Sequence, residues 1–141
     1  MKNYYVIEPE VAGGFGENTE IDRSSGRMEV KKLHYKFDGW LGDQLLESTP
    51  CYIVSEQLAI EIDREKLSGA EFDEVEVTVS DQFVDIYPNR EIPKFVWLKI
   101  TGTPGVDDFG IASGLRLAVS ERALILLKQI GISHAVSIVP F

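Results

Sequence analysis

The sequence predicts an α+β fold: one domain over residues 1–141, with a mixed or mostly antiparallel sheet and about two main helices. Three observations carry this. The first is a unit used twice. Tyr52-Ile53-Val54-Ser55-Glu56-Gln57-Leu58-Ala59-Ile60 and Leu117-Ala118-Val119-Ser120-Glu121-Arg122-Ala123-Leu124-Ile125 each pass from an apolar strand through Val-Ser-Glu into a helical segment closed by a glycine, Gly69 or Gly131. In this β-cap-α-β unit the serine hydroxyl accepts from a free backbone N–H of the first helical turn, worth about 1 kcal/mol. The glutamate lies at the positive end of the helix dipole. The second observation is Val75, Val77 and Val79 alternating with Glu74, Glu76 and Thr78, the pattern of an antiparallel strand with one wet face. The third is the nearly continuous apolar run Phe95–Thr101, which reads as a central strand.

The remaining elements follow in order. Tyr4–Ile7 is a short strand ended by Pro9. Gly13-Gly14-Phe15-Gly16 reads as a glycine loop, and Ser24-Ser25-Gly26 as a turn. Val30–Phe37 is a strand with Leu33, Tyr35 and Phe37 on one face; Lys31 and Lys32 interrupt the alternation and mark a bulge. Asp38-Gly39 is a turn, followed by Trp40-Leu41-Gly42-Asp43 and the apolar pair Leu45-Leu46. In the first unit Pro50–Val54 is the strand and Glu56–Leu67 the helix, with Leu58, Ala59 and Ile62 as its buried stripe and Gly69 at C′. Gly102–Gly114 reads as one long loop. In the second unit Leu115–Val119 is the strand and Glu121–Gln129 the helix, apolar nearly all round and so expected deep in the core. Ala135–Val139 is the last strand.

At 141 residues, with 44% hydrophobic and 26% charged side chains, the chain suits one domain with a substantial core. The net charge is -9, and residues 47–91 hold twelve acidic and three basic side chains. That distribution disfavours nucleic acid as a partner, since phosphates need a basic surface; it allows a basic protein. The single cysteine, Cys51, forms no intrachain disulfide and fits a reducing compartment. The opening Met1-Lys2-Asn3-Tyr4-Tyr5-Val6-Ile7-Glu8 lacks the features of a signal peptide, and no apolar run approaches the ~20 residues of a membrane span. The cytoplasm is the expected location, with no membrane contact.

Candidate chemistry is sparse. Gly13–Gly16 lacks the lysine and flanking helix of a phosphate loop and is followed by Glu17, Glu20 and Asp22, which repel phosphate. Asp107-Asp108 and the Asp38/Asp43 loop would form an acid–base pair or a cation site only if they met in space; capping and turn-forming aspartates are the plainer reading. His34 and His134 are the only histidines, and nothing in their spacing joins them to Cys51, which reads as a small buried hydrophobe. The expectation is no catalytic residue, no cofactor and no metal. Trp97 belongs in the core. Trp40, flanked by glycines and acids, is either an exposed binding anchor or a residue packed on the sheet end.

Several segments together resemble a known family. They are Pro9-Glu10-Val11-Ala12-Gly13-Gly14-Phe15-Gly16-Glu17-Asn18-Thr19, Leu33-His34-Tyr35-Lys36-Phe37-Asp38-Gly39-Trp40-Leu41-Gly42-Asp43, Pro50–Ser55, Phe95–Gly102, Asp107-Asp108-Phe109 and Leu117–Leu124. They are similar to bacterial immunity proteins of polymorphic toxin systems, first grouped as domains of unknown function in myxobacterial and proteobacterial chains. Some related chains carry paired Cys-x-x-Cys zinc motifs, and this sequence has none. The resemblance implies a cytoplasmic antitoxin without catalysis that binds a cognate toxin protein. It supplies no catalytic residues. Trp40, Asp43, Asp81 and Asp85 are the expected contacts, since anchors are often aromatic within a charged surround and an acidic inhibitor associates fast with a basic toxin. The alternative is a small-ligand-binding protein or enzyme using the Asp38/Asp43 and Asp107/Asp108 loops. Oligomeric state is not legible.

Overall fold

Two hydrophobic cores share one sheet between them. The computed structural model describes residues 3–141; Met1 and Lys2, the start of the opening segment, lie outside them. In chain order the elements are β1 (Tyr4–Glu8), β2 (Gly13–Phe15), β3 (Glu20–Asp22), β4 (Glu29–Phe37), β5 (Leu45–Ser48), β6 (Cys51–Ser55), α1 (Glu56–Arg64), β7 (Ala70–Asp73), β8 (Val75–Val79), α2 (Asp81–Ile86), β9 (Phe95–Ile100), β10 (Phe109–Ala112), β11 (Arg116–Ser120), α3 (Glu121–Ile130) and β12 (Ser137–Pro140). The shared sheet is antiparallel, in the order β5-β6-β9-β7. Successive side chains of a strand point to opposite faces. Tyr52, Val54 and Leu98 therefore enter one core, and Cys51, Ile53, Phe95 and Trp97 the other. That is why β6 is buried along its whole length and why the Phe95–Ile100 run is apolar at nearly every position.

The first core is closed by the antiparallel sheet β10-β11-β1-β12 and by α1 and α3, through residues such as Ile7, Leu58, Ile62, Leu117, Val119 and Leu127. The second is aromatic. Leu33, Tyr35 and Phe37 of β4 meet Phe83 of α2 and the far face of the shared sheet, with Phe37 5.7 Å from Phe95 and 6.3 Å from Phe83, ring centre to ring centre. Edge-on and tilted geometries at these distances favour contact between the positive ring edge and the negative face.

Both expected caps form. Ser55 Oγ accepts from Leu58 N at 3.2 Å and Ser120 Oγ from Ala123 N at 3.1 Å. The expected bulge forms too: Glu20 pairs with Lys32 and Ile21 with Val30, leaving Lys31 as the extra residue.

Five expectations are corrected. Gly13–Phe15 is a strand on the edge of β4, not a loop. A Cβ on Gly13 would strike the Lys36 carbonyl and one on Gly16 the His34 ring, so the glycines permit a close pairing. The Val75–Val79 strand pairs with β4 in parallel, because the long excursion through β5, β6, α1 and β7 separates the two strands. The first helix stops at Arg64 instead of Leu67. Lys66 takes the left-handed C′ position usually given to glycine, with a φ of 53°; Lys66 N donates to Asp63 O and Leu67 N to Ile62 O at 3.0 and 3.2 Å, and the guanidinium of Arg122 donates to the following carbonyls, Glu65 O and Lys66 O, at 3.3 and 3.2 Å. Gly69 instead lies against the Phe109 carbonyl. The supposed long loop holds β10, which pairs with β11. Finally, α3 buries one face only: Ala123, Leu124, Leu126 and Leu127 are inside, while Ile125 is 52% exposed.

Candidate functional site

The segment after β4 is pinned before it can display anything. Asp38 N and Gly39 N both donate to Ala12 O, at 2.9 and 3.1 Å. Trp40 then turns inward and is only 7% exposed. Its ring meets Phe37 and Phe95 edge-on at 6.4 and 6.0 Å. Its indole N–H donates to Asp43 O at 2.9 Å, the polar partner a buried tryptophan requires. Arg90 closes the arrangement: its guanidinium lies 4.5 Å from the Trp40 ring centre and 4.8 Å from that of Tyr87, and it donates to Trp40 O at 2.7 Å. Trp40 is thus a fixed floor: of the two readings offered for it, the residue packed on the sheet end is the one observed, and its role as an exposed contact is corrected.

Asp43 is also buried, at 2%. Oδ2 accepts from His134 N at 2.8 Å, and Oδ1 lies 2.9 Å from His134 Nδ1. Glu10, 5% exposed, accepts from Leu41 N at 2.7 Å and from Asp43 N at 3.2 Å. Asp43 therefore presents no carboxylate to a partner; it braces the loop. What the loop displays is Leu41, which is 60% exposed beside Val11 at 61% and Ile86 at 53%. These three rim a groove of about 370 Å³ whose floor includes Trp40 and Tyr87. None of the three has an exposed-anchor signature in the sequence. The groove depends on α2, a helix of six residues that carries the same Val-Ser-acid signature (Val79-Ser80-Asp81) as the two recognised units. Ser80 Oγ accepts from Phe83 N at 3.2 Å, and Phe83 is the helix's buried anchor.

Asp81 and Asp85 are exposed on α2. Four residues apart, they share one side of the helix, next to the Gln82 and Ile86 positions that line the groove. Exposed Asp38 lines it as well. The surface is thus apolar at its centre and acidic at its border. A larger cleft of about 880 Å³ lies between β4 and β9, lined by three lysines, Lys31, Lys32 and Lys94, and three acids, Asp73, Glu74 and Glu76, so its lining carries no net charge.

The two aspartate loops do not meet. Gln44 N, next to Asp43, bonds Gly131 O beyond the C-terminus of α3, whereas Asp108 lies at its N-terminus, where it accepts from Ser120 Oγ at 2.6 Å and from Arg122 Nε and Nη2 at 3.1 and 3.0 Å. A helix of ten residues keeps them about 15 Å apart. Burial would raise the Asp108 pKa, but the Arg122 and Ser120 bonds and the Ser68 N–H outweigh it and hold the carboxyl at about 2. Asp108 is a structural tie between α1, β10 and α3. His34 is buried in another network: its Nδ1 accepts from Asn18 N at 3.2 Å, leaving Nε2–H to donate to Thr78 Oγ1 at 2.6 Å. Cys51 is buried with its thiol pushed up to about 12 by desolvation, which keeps it protonated and unreactive. No helix of the described residues is long and apolar enough to cross a membrane. Compared with known proteins, the sequence matches no family model and no curated protein.

Proposed function

We propose that this chain is an immunity protein: a non-enzymatic cytoplasmic antitoxin that binds a cognate polymorphic toxin and blocks its action. The single observation that carries the reading is the acid-bordered apolar groove at α2, with Val11, Leu41 and Ile86 exposed above a Trp40–Tyr87 floor. Exposed apolar residues held on a rigid base give a partner area to bury without ordering flexible side chains. Asp38, Asp81 and Asp85 favour a partner with lysines and arginines around its own apolar contact, and the overall charge of -9 steers such a partner at long range. The resemblance of the N-terminal and C-terminal segments to toxin-immunity proteins supports the biological role.

The test is co-expression with the toxin encoded beside this gene. The wild-type chain should restore growth. Leu41→Asp and Ile86→Asp should abolish protection while leaving thermal stability within about 0.5 kcal/mol, as expected for exposed positions. If the wild-type chain neither binds nor protects, the role is wrong. If it protects and both variants protect equally, the role stands and the groove is not the contact.

A further inference from the structure

Three residues from distant parts of the chain converge beneath the Trp40 segment. Glu10 follows β1, Asp43 precedes β5 and His134 follows α3. One donor atom of each lies within 4.8 Å of the other two. Glu10 and Asp43 are 5% and 2% exposed, and among the described residues neither carboxylate has a lysine or arginine partner. Two buried carboxylates and one imidazole thus converge on one small volume, a mixed oxygen and nitrogen donor set.

We propose that Glu10, Asp43 and His134 bind one divalent transition-metal ion of the zinc class. The imidazole nitrogen selects against Mg²⁺ and Ca²⁺, which take oxygen donors. One nitrogen and two carboxylate oxygens make the three-ligand set that zinc completes with water. His134 has 43% of its side chain exposed, which provides an entry path and room for that water. The backbone hydrogen bonds to Glu10 and Asp43 are compatible with an ion, whereas the His134 Nδ1–Asp43 Oδ1 bond is the one an ion would replace. Each carboxylate oxygen has a lone pair beyond the one engaged by Leu41, Asp43 or His134 N–H, and those N–H groups orient the ligands as metal sites require. As a ligand, His134 would present Nδ1 to the ion and leave Nε2 towards the solvent-exposed side. Asp43 Oδ1 and His134 Nδ1, 2.9 Å apart, would open to the roughly 3.4 Å between two tetrahedral ligands of one ion. With bonds of about 2.0–2.2 Å, the farthest donors must draw together by roughly 1.5 Å. The ion would tie the exits of β1 and α3 to the loop that carries Leu41, whether or not the groove binds a toxin.

The experiment uses the full chain, stripped with a chelator and titrated calorimetrically with Zn²⁺ and Co²⁺, with Mg²⁺ and Ca²⁺ as controls. The expected result is one equivalent of Zn²⁺, a raised melting temperature, and no response to Mg²⁺ or Ca²⁺. Zn²⁺ should shift the ring resonances of His134 and leave those of His34 in place, a readout independent of any substitution. The Co²⁺ spectrum should show ligand-field bands without a thiolate charge-transfer band. His134→Gln, at a half-exposed position, should lose affinity by at least about 100-fold, since loss of a direct ligand exceeds the 10–100-fold effect of losing a group that merely supports one. Absence of stoichiometric Zn²⁺ binding overturns the proposal. So does a shift of His34 in place of His134, a thiolate band, or wild-type affinity in His134→Gln.

Discussion

Ser55 and Ser120 cap helices in the same way, yet replacing them should have different consequences. Each hydroxyl accepts one backbone N–H of its helix, at 3.2 and 3.1 Å, so Ser55→Ala should cost about 1 kcal/mol. Ser120 does a second thing: it donates to Asp108 Oδ1 at 2.6 Å. Asp108 is 8% exposed, and a hydrogen bond to a charged group contributes about 1.5–3 kcal/mol. Ser120→Ala should therefore cost about 2.5–4 kcal/mol. Urea unfolding followed by tryptophan fluorescence is the assay, since Trp40 and Trp97 are both buried at 7% and 6% and both report loss of the aromatic core. A double-mutant cycle isolates the second bond: in an Asp108→Ala background, which removes the acceptor, Ser120→Ala should cost about 1 kcal/mol, like Ser55→Ala. If Ser120→Ala costs no more than Ser55→Ala in the wild-type background, the assignment of Asp108 as the tie between α1, β10 and α3 is refuted.

Asp108 also predicts a pH dependence. Its carboxyl is held at about 2, below the ordinary 3.8, so its stabilisation is complete above about pH 5 and is lost as the pH falls through 4 towards 2, by about 2 kcal/mol in all; urea midpoints of wild type and Asp108→Asn should converge over that window, and parallel curves would contradict it. Gly13→Ala should destabilise by about 3 kcal/mol or more, because its Cβ would strike the Lys36 backbone, while Gly14→Ala next to it meets nothing within 4 Å and should change the melting midpoint little. Trp40→Ala should cost about 3–5 kcal/mol of stability; a fully stable Trp40→Ala that simply loses a partner would restore the exposed-anchor reading and contradict its burial.

The strand–serine–helix units at Ser55 and Ser120 were legible because cap chemistry is local: a hydroxyl, a first-turn acid and a helical apolar stripe lie within a few residues. The third cap, Ser80, has the same signature, but α2 is six residues long with Phe83 as its buried residue, too short for a periodic stripe to draw attention. The sign of the β4–β8 pairing was not legible, since Val75–Val79 has the same alternation whether its partner runs parallel or antiparallel. Which of the two readings of Trp40 holds was not legible for a related reason. Glycines and acids flank it, but its burial is set by Phe95 and Arg90, 50 or more residues away. The Glu10–Asp43–His134 cluster was out of reach altogether. Its members are 33 and 91 residues apart, and no ligand spacing exists for periodicity or motif to reveal. Asp81 and Asp85 were legible as exposed acids, because a charge that follows a strand with no partner in the sequence stays in water.

A basic toxin seated in the groove at α2 would make its affinity depend on Leu41, Ile86, Asp81 and Asp85. The most direct measurement is the association and dissociation rate of the purified chain with the toxin domain encoded beside its gene, at two salt concentrations. Asp81→Asn/Asp85→Asn should slow association several-fold and flatten its salt dependence, and Leu41→Ala/Ile86→Ala should speed dissociation with association nearly unchanged. Rates identical to wild type for both double variants would contradict it.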